Sequence, residues 1–543
     1  MQHVLNEDFP YYKDQHQDQL TRNEYYLCMW TEIIDVTNSD FFKDIGIINT
    51  DFVRSKLEEF QDMTSSLADE VDQDNRTALS IAPVAVREVF HEFMYFMGQY
   101  EFHIGPPVYK SATALIVQAT DHKVVEKVFN TKFNEFKNDE GVITKDEFIE
   151  CFDSWDLIAE TLTYKSISAI RSQEKFDFYD CDIDKGGSVS EREFVTYCSK
   201  IFGATRTVVL KFMKNKDQYR KEIDARQKNN LDAKFVLNII SGLEEDSNED
   251  IIYTSIQASN HKHLKCTEYK FMIVLPAADR SLLDVIQKEK PNASQKMMLL
   301  KGVAQAIQHL HEKRIIHGDI KALNVVIKDE KTVQLIDLDA SVNFDEYAGA
   351  KFSSGVLPPE MFVKLNAVEF KSFETYFKNV DRDELWDKVK PLKDSSRKCY
   401  YAVRTFIDGI HPSEDFVIKA TSAIDIWSFG VLMYYMLSIN NEPLLAVDIN
   451  DDISKRGCDE YRKIIEMTDN SIANNIREFI TDPFAQELLM KILRIRPNDR
   501  ISFTQILVSF TLCIFDISSI VASPVSCMRL RRQFDIILSL PDV

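Results

Sequence analysis

The chain has 543 residues, room for about three domains, and its 45% apolar and 28% charged side chains exclude a largely disordered chain, a collagen-like fibre and a small disulfide scaffold. Lys plus Arg total 65 against 86 Asp plus Glu, and the net charge of −21 argues against broad binding to nucleic acid or to an anionic membrane. Nine cysteines without a Cys-x-x-Cys pair suit buried thiols in a reducing compartment rather than disulfides or zinc. The N-terminus, MQHVLNEDFPYYKD, lacks secretory character. The longest apolar stretch, Leu507 to Ala522, is broken by Asp516 and is too short to span a bilayer, so a cytoplasmic location is expected.

Residues 1–104 read as a helical region. Within it, Thr77-Ala78-Leu79-x-x-Ala82 resembles the signature that opens an ankyrin repeat's first helix, although no second copy follows at a 33-residue period and an ordinary helical segment fits as well. Gly105-Pro106-Pro107 breaks the pattern and predicts a linker over 105–119. Residues 120–202 read as two helix–loop–helix units, 205–276 as a small lobe with Val/Ile/Leu-rich strands, and 277–525 as a large helical lobe, with a tail at 526–543. In the large lobe, Leu300, Val303, Ala304, Ile307 and Leu310 share one helix face. Ile426 to Leu437 is apolar nearly all round, which predicts a helix at the lobe's centre.

The segment DIDKGGSVSERE, Asp182 to Glu193, places Asp182, Asp184, Gly187, Val189 and Glu193 at positions 1, 3, 6, 8 and 12 of a twelve-residue loop. Ca²⁺ takes six to eight hard oxygens, and this spacing wraps carboxylates around one point, with a sharp turn at the glycine. The segment resembles an EF-hand; Ser188 would add its carbonyl and Ser190 its oxygen, directly or through water. Gly186 at position 5 offers no side-chain oxygen, leaving three carboxylates. The earlier FKNDEGVITKDE, Phe136 to Glu147, carries Gly141, Ile143 and Glu147 at positions 6, 8 and 12, but Phe136 at position 1 cannot ligate a cation. It reads as a structural partner that pairs Ile143 with Val189.

HGDIKALN, His317 to Asn324, sets Asp319, Lys321 and Asn324 at offsets 0, 2 and 5, and Asp337 follows thirteen residues after Asn324 across VVIK, DEKT and VQLID. Such a strand–turn–strand returns Asp337 beside Asn324. These segments resemble the catalytic and metal-binding loops of eukaryotic serine/threonine protein kinases, over about 205–525. By that resemblance, Asp319 orients the substrate hydroxyl, Lys321 neutralises the transferring phosphoryl group, and Asn324 and Asp337 hold Mg²⁺. Lys211, in TVVLKFM, meets the α- and β-phosphates of ATP, and Glu222 fixes Lys211. Glu360 in LPPE, Asp425 in DIWSFG and Arg500 in RPNDR match supporting positions, with Glu360 and Arg500 as an ion pair, and Ser353 takes the place of a hydroxyl that contacts base and lysine. PAADRSL, Pro276 to Leu282, looks like the hinge that meets adenine.

The sequence departs from that family at several points. Only Gly203 lies between the calcium-type loop and Lys211, where a glycine-rich phosphate loop is expected. Gly186-Gly187-x-Val189 can be read as a degenerate phosphate loop in competition with calcium, although the acidic spacing has no use there. The metal loop is Asp-Leu-Asp, ending in Asp339; Gly318 replaces the arginine before the base; and a charged insertion occupies about 364–420. His309 and His311 read as ordinary helix histidines. The expected fold is multidomain: a helical N-terminal region with an EF-hand pair (all-α), then a two-lobed α+β protein kinase-like fold. The expected function is transfer of phosphate from Mg-ATP to protein hydroxyls, tuned by Ca²⁺, with a protein substrate as partner. The alternatives are a pseudokinase scaffold and a calcium sensor.

Overall fold

The computed structural model describes residues 95–103, 107–110, 114–122, 124–153, 177–182, 185–202, 205–240, 269, 271–328, 332–378, 383–407, 410, 414–448, 451–453 and 458–519. The ankyrin-like segment at 77–82 and the tail at 526–543 lie outside the described residues.

Five strands form an antiparallel sheet: β1 (Tyr100–Phe102), β2 (Tyr109–Lys110), β3 (Ala114–Asp121), β4 (Arg206–Met213) and β5 (Phe271–Pro276). Their order is β1-β3-β4-β5, with β2 also paired to β3. Strand alternation explains the two faces of β4. Val208, Leu210 and Phe212 pack with Leu115, Val117, Ala119 and Met272 on one side. Val209, Met213 and Lys211 point the other way, where Tyr219 and Ile223 of a covering helix join Ile273 and Leu275. The sheet corrects two expectations. The region expected to be helical through 104 ends in a turn and a strand, and the linker expected at 105–119 supplies β2 and most of β3.

Between β3 and β4 the described residues include the helices α1 (Val124–Phe136), α2 (Lys145–Asp153), α3 (Phe178–Cys181) and α4 (Glu191–Phe202). They close on their own core, in which Phe129, Phe133, Phe148, Phe194, Cys151 and Cys198 are fully or almost fully buried. Each buried phenylalanine contributes about 1.5–3 kcal/mol to that core. The pairing expected between Ile143 and Val189 is present, with reciprocal backbone hydrogen bonds of 2.9 and 2.8 Å. Asp121 and Arg206, which flank this insertion, are direct cross-strand partners.

Helix α5 (Lys216–Gln227) starts at Asn215, whose side chain accepts from the Asp217 and Gln218 amides, and it lies against the sheet. The large lobe is built on α6 (Ala293–Glu312), capped by Asn292 and Gln295 reciprocally. The five residues expected on its inner face are all fully buried. A small sheet of β6 (Arg280–Ser281), β7 (Val325–Lys328) and β8 (Thr332–Leu335) carries the loops of the cleft. Further on come β9 (Phe362–Leu365), α7 (Ala367–Lys378), α8 (Asp383–Val389), β10 (Leu392–Asp394), β11 (Cys399–Val403) and α9 (Ser422–Leu437). Helix α9 is buried along nearly its whole length, as its unbroken apolar character predicts. The insertion at 364–420 is more than a surface excursion: Phe373, Phe377, Tyr401, Val403 and Phe416 share a second core with Met361 and Ile424. Among the described residues no helix is long and apolar enough to cross a membrane.

Candidate active site

The site lies where β4, α5 and the loops around β7 and β8 converge. Lys211 reaches from the small lobe to the large one: its Nζ donates to Asp337 Oδ1 at 2.5 Å and lies 3.5 Å from Glu222 Oε2 and 4.0 Å from Asp339 Oδ2. Burial alone would lower the Lys211 pKa, but Asp337, then Glu222 and Asp339, outweigh it and leave it above the ordinary lysine value. Burial also opposes ionisation of Asp337, yet Lys211 and Lys351 hold its carboxyl well below the usual range. Burial and then the Asp337 charge push Asp339 up to about 6. Glu222 is fully buried and has a second cation that sequence reasoning missed: Arg226, one helical turn on, lies 3.0 Å from Glu222 Oε1 and donates Nε to the Leu237 carbonyl at 2.8 Å. The i, i+4 spacing on α5 is the signal that could have found it.

The turn-forming hairpin of β7 and β8 performs the return that the spacing predicts. The Ile336 amide donates to the Asn324 carbonyl at 3.0 Å, so Asp337 follows directly beside Asn324. Asn324 Nδ2 donates to the Asp319 carbonyl at 2.9 Å and to Asp319 Oδ2 at 3.1 Å. Lys321 Nζ lies 3.3 Å from that same Oδ2 and donates to Ser353 Oγ at 2.7 Å. Asp319 Oδ1 is buried and has no hydrogen-bond partner among the described residues. A buried polar oxygen left unbonded is costly, so this one is open to a further hydrogen-bond donor.

Two buried devices hold this loop. Asp425, at the start of α9, accepts from the His317 amide at 2.8 Å and the Gly318 amide at 2.9 Å. His311, expected to be an ordinary helix residue, also bonds Asp425 at 2.9 Å. His309 keeps the ordinary role: its ring accepts from the Asp232 amide at 3.0 Å. Gly318 has φ +79°, and a Cβ there would meet the Ala340 carbonyl oxygen at 2.8 Å, so the backbone leaves no room for the missing arginine. Arg500 grips Glu360 with two bonds of 2.7 Å, as expected.

Sequence reasoning also missed Lys351. It pairs with Asp339 and lies 3.9 Å from Asp337 Oδ1. In sheet order β1 and β3 precede the Lys211 strand, and the run 103–113 between them holds a single glycine, Gly105. Tyr109 of β2 feels the charges of Lys321, Asp337, Lys351 and Asp319, and burial raises its phenol above the ordinary value.

The calcium-type loop stands apart from this cleft. Asp182 is buried and accepts from the Gly186 and Gly187 amides at 2.9 Å each, Gly187 has φ +79°, and Glu193 Oε2 accepts from the Ser190 amide at 2.9 Å and its hydroxyl at 2.6 Å. Ser188 is partly buried in the turn before Val189. Asp184 lies outside the described residues.

Comparison with known proteins follows the same geometry. Residues 196–368 match the family model "Protein kinase domain". A "Probable LIM domain-containing serine/threonine-protein kinase" of Dictyostelium discoideum is 31% identical over 114 residues, 20% of this chain and 17% of that protein. The inhibitor of nuclear factor kappa-B kinase subunit alpha of Gallus gallus is 28% identical over 174 residues, 30% of this chain and 21% of that protein. MAP kinase-activated protein kinase 5 of Mus musculus is 24% identical over 213 residues, 39% of this chain and 37% of that protein. The chain therefore spans well under half the length of these relatives. Over residues 196–368 the chain is thus similar to a protein kinase domain, and one of the relatives it matches is named a serine/threonine-protein kinase.

Proposed function

We propose that the chain transfers the γ-phosphoryl group of Mg-ATP to serine or threonine hydroxyls of protein substrates. The observation that carries this reading is the orphaned Asp319 Oδ1, held beside Lys321 while Asn324 occupies the other carboxylate oxygen. A hydroxyl donating to that oxygen would be oriented for in-line attack, and Lys321 would offset charge on the transferring group. Lys211, fixed by Glu222, would take the α- and β-phosphates, with the adenine base against the backbone of the Pro276–Leu282 hinge. The donor set suits a hard divalent cation: Glu222, Asp337 and Asp339 bring carboxylate oxygens within 4.8 Å of one another. Asp337 and Asn324 would hold Mg²⁺, which would supply positive charge to offset that of the phosphates. The test is γ-phosphate transfer from labelled ATP to a generic acceptor protein. Wild type transfers and Asp319→Asn falls by at least about a hundredfold; equal rates sink the assignment.

The glycine-poor connection from β1 to β3 and the lysine in the cleft favour a second reading, a pseudokinase scaffold. It predicts a nucleotide-dependent rise in melting temperature with no transfer at all.

We further propose that the inserted helices form an EF-hand pair that takes one Ca²⁺ at Asp182, Asp184, Ser188, Ser190 and Glu193. The acidic spacing, the Gly187 turn and the Ile143–Val189 bridge support this reading, which also makes the insertion a calcium-dependent regulator of the kinase domain. Calorimetric titration should give one site that Glu193→Gln removes; heat that persists in that variant excludes the loop.

A further inference from the structure

Two lysines and two aspartates alternate at the heart of the cleft. Lys211 touches Asp337 at 2.5 Å, Asp337 faces Lys351 at 3.9 Å, Lys351 pairs with Asp339, and Asp339 lies 4.0 Å from Lys211. Lys211 belongs to the sheet and Glu222 and Arg226 to α5, so three members of the surrounding charge cluster are fixed by secondary structure. Lys351 is different. It sits on the irregular run between the short strand Tyr347–Ala348 and the turn Ser354–Val356, two residues before Ser353, which accepts from Lys321.

Charge decides what this lysine is for. Glu222, Asp337 and Asp339 carry three negative charges when ionised, and their ligand atoms lie within 4.8 Å of one another. Lys211, Arg226 and Lys351 balance them one for one. A divalent ion arriving at Asp337 adds two positive charges to a cluster whose charges are already balanced and which is open to water only at Asp337 and Lys351, 25% and 22% exposed. Inside a protein that excess is expensive, and of these three cations Lys351 alone lies outside a helix or strand, so the excess falls most easily on it. Asp339 also stands where a glycine would leave no carboxylate; its side chain is only 1% exposed, and that of its partner Lys351 is 22% exposed.

We infer that Lys351 is an internal stand-in for the divalent ion: its ammonium occupies the Asp337–Asp339 site until metal expels it, and Asp339 then joins Asp337 as a ligand. This rests on the kinase reading above in one respect, that Asp337 binds the metal. The consequence is a coupling between metal and the 347–357 segment. Metal binding frees Lys351, and the freed segment resets Ser353 against Lys321. Coupling is reciprocal, so whatever holds the segment down weakens metal binding by the same factor.

The experiment measures Mn²⁺ binding to the full chain without nucleotide, by electron paramagnetic resonance of the free ion, with Glu193→Gln in the reference protein and in every variant so that the calcium-type loop takes no ion. Lys351→Met should bind Mn²⁺ about tenfold tighter than wild type, within the usual range of such couplings, and Lys351→Arg, which keeps the charge, should bind no tighter than wild type. Mn²⁺ should also speed amide exchange across 351–356 in wild type and leave Lys351→Met unchanged. Lys351→Gln serves in place of Lys351→Met if that variant does not fold. Asp337→Asn separates the two possible failures. If it retains Mn²⁺ binding, the assignment of Asp337 as a ligand is wrong; if it loses binding while Lys351→Met binds no tighter than wild type, the stand-in role is wrong.

Discussion

Removing the Arg500 side chain should be among the most damaging single changes to the large lobe. Its guanidinium is fully buried and donates to both Glu360 oxygens at 2.7 Å, to the Ala423 and Arg494 carbonyls at 2.8 Å each and to the Ile495 carbonyl at 3.3 Å. It also stacks 5.1 Å from the Trp427 ring. Arg500→Met leaves Glu360 with no counter-charge in a site that is 19% exposed, a loss of about 3–5 kcal/mol for a broken buried pair. For a lobe of this size each kcal/mol lowers the melting temperature by about 2–4 °C, so a drop of about 6–20 °C is expected. The double variant Arg500→Met, Glu360→Met removes the stranded carboxylate as well and should melt above Arg500→Met alone. Thermal unfolding followed by circular dichroism, at one protein concentration and without nucleotide, reads both. If Arg500→Met melts within about 2 °C of wild type, or the double variant melts below it, the ion pair does not hold the lobe together as argued.

Two further changes test other parts of the fold. Gly318→Ala forces a Cβ against the Ala340 carbonyl at 2.8 Å and adds the strain of a left-handed residue, about 1–2 kcal/mol; phosphoryl transfer should fall with it, and an Ala variant as active and stable as wild type refutes the tight approach. Cys151 and Cys181 are buried in the inserted unit, and burial pushes each thiol up to about 12. Folded thiols that hold their protons this tightly should alkylate at least about tenfold more slowly at pH 8 than in denaturant, by mass spectrometry. Because the unfolded chain loses these protons first, the unit's stability is intact below about pH 9 and declines as the pH climbs towards 12; a melting temperature that is flat or rising over that range contradicts the burial.

Most of the cleft could be read from the chain because its members sit at short, fixed offsets. Asp319, Lys321 and Asn324 share one loop, and a hairpin of ordinary length carries Asp337 back to them. The sheet was not legible for the opposite reason. β3 and β4 are neighbours in space with 84 residues between Asp121 and Arg206, and no local pattern announces a pairing across such a gap. Short strands with only two or three paired residues, such as β1 and β2, also leave almost no periodic signal. Lys351 escaped because one lysine in an irregular run looks like any solvated charge until the chain folds it onto Asp339. The insertion at 364–420 was misjudged on composition: its charges cover one side of α7, while Phe373 and Phe377 on the other side enter a core.

The rung formed by Asp121 and Arg206 makes the helical insertion a detachable cassette. Facing residues in an antiparallel ladder are about 4.5–5.5 Å apart, a span that a two-residue turn can bridge. An excision joining β3 to β4 should therefore leave the ladder in register, with Lys211 five rungs away. For the same reason the cassette has no slack: if its two ends spread, the strain travels straight down a hydrogen-bonded ribbon rather than dissipating in a tether.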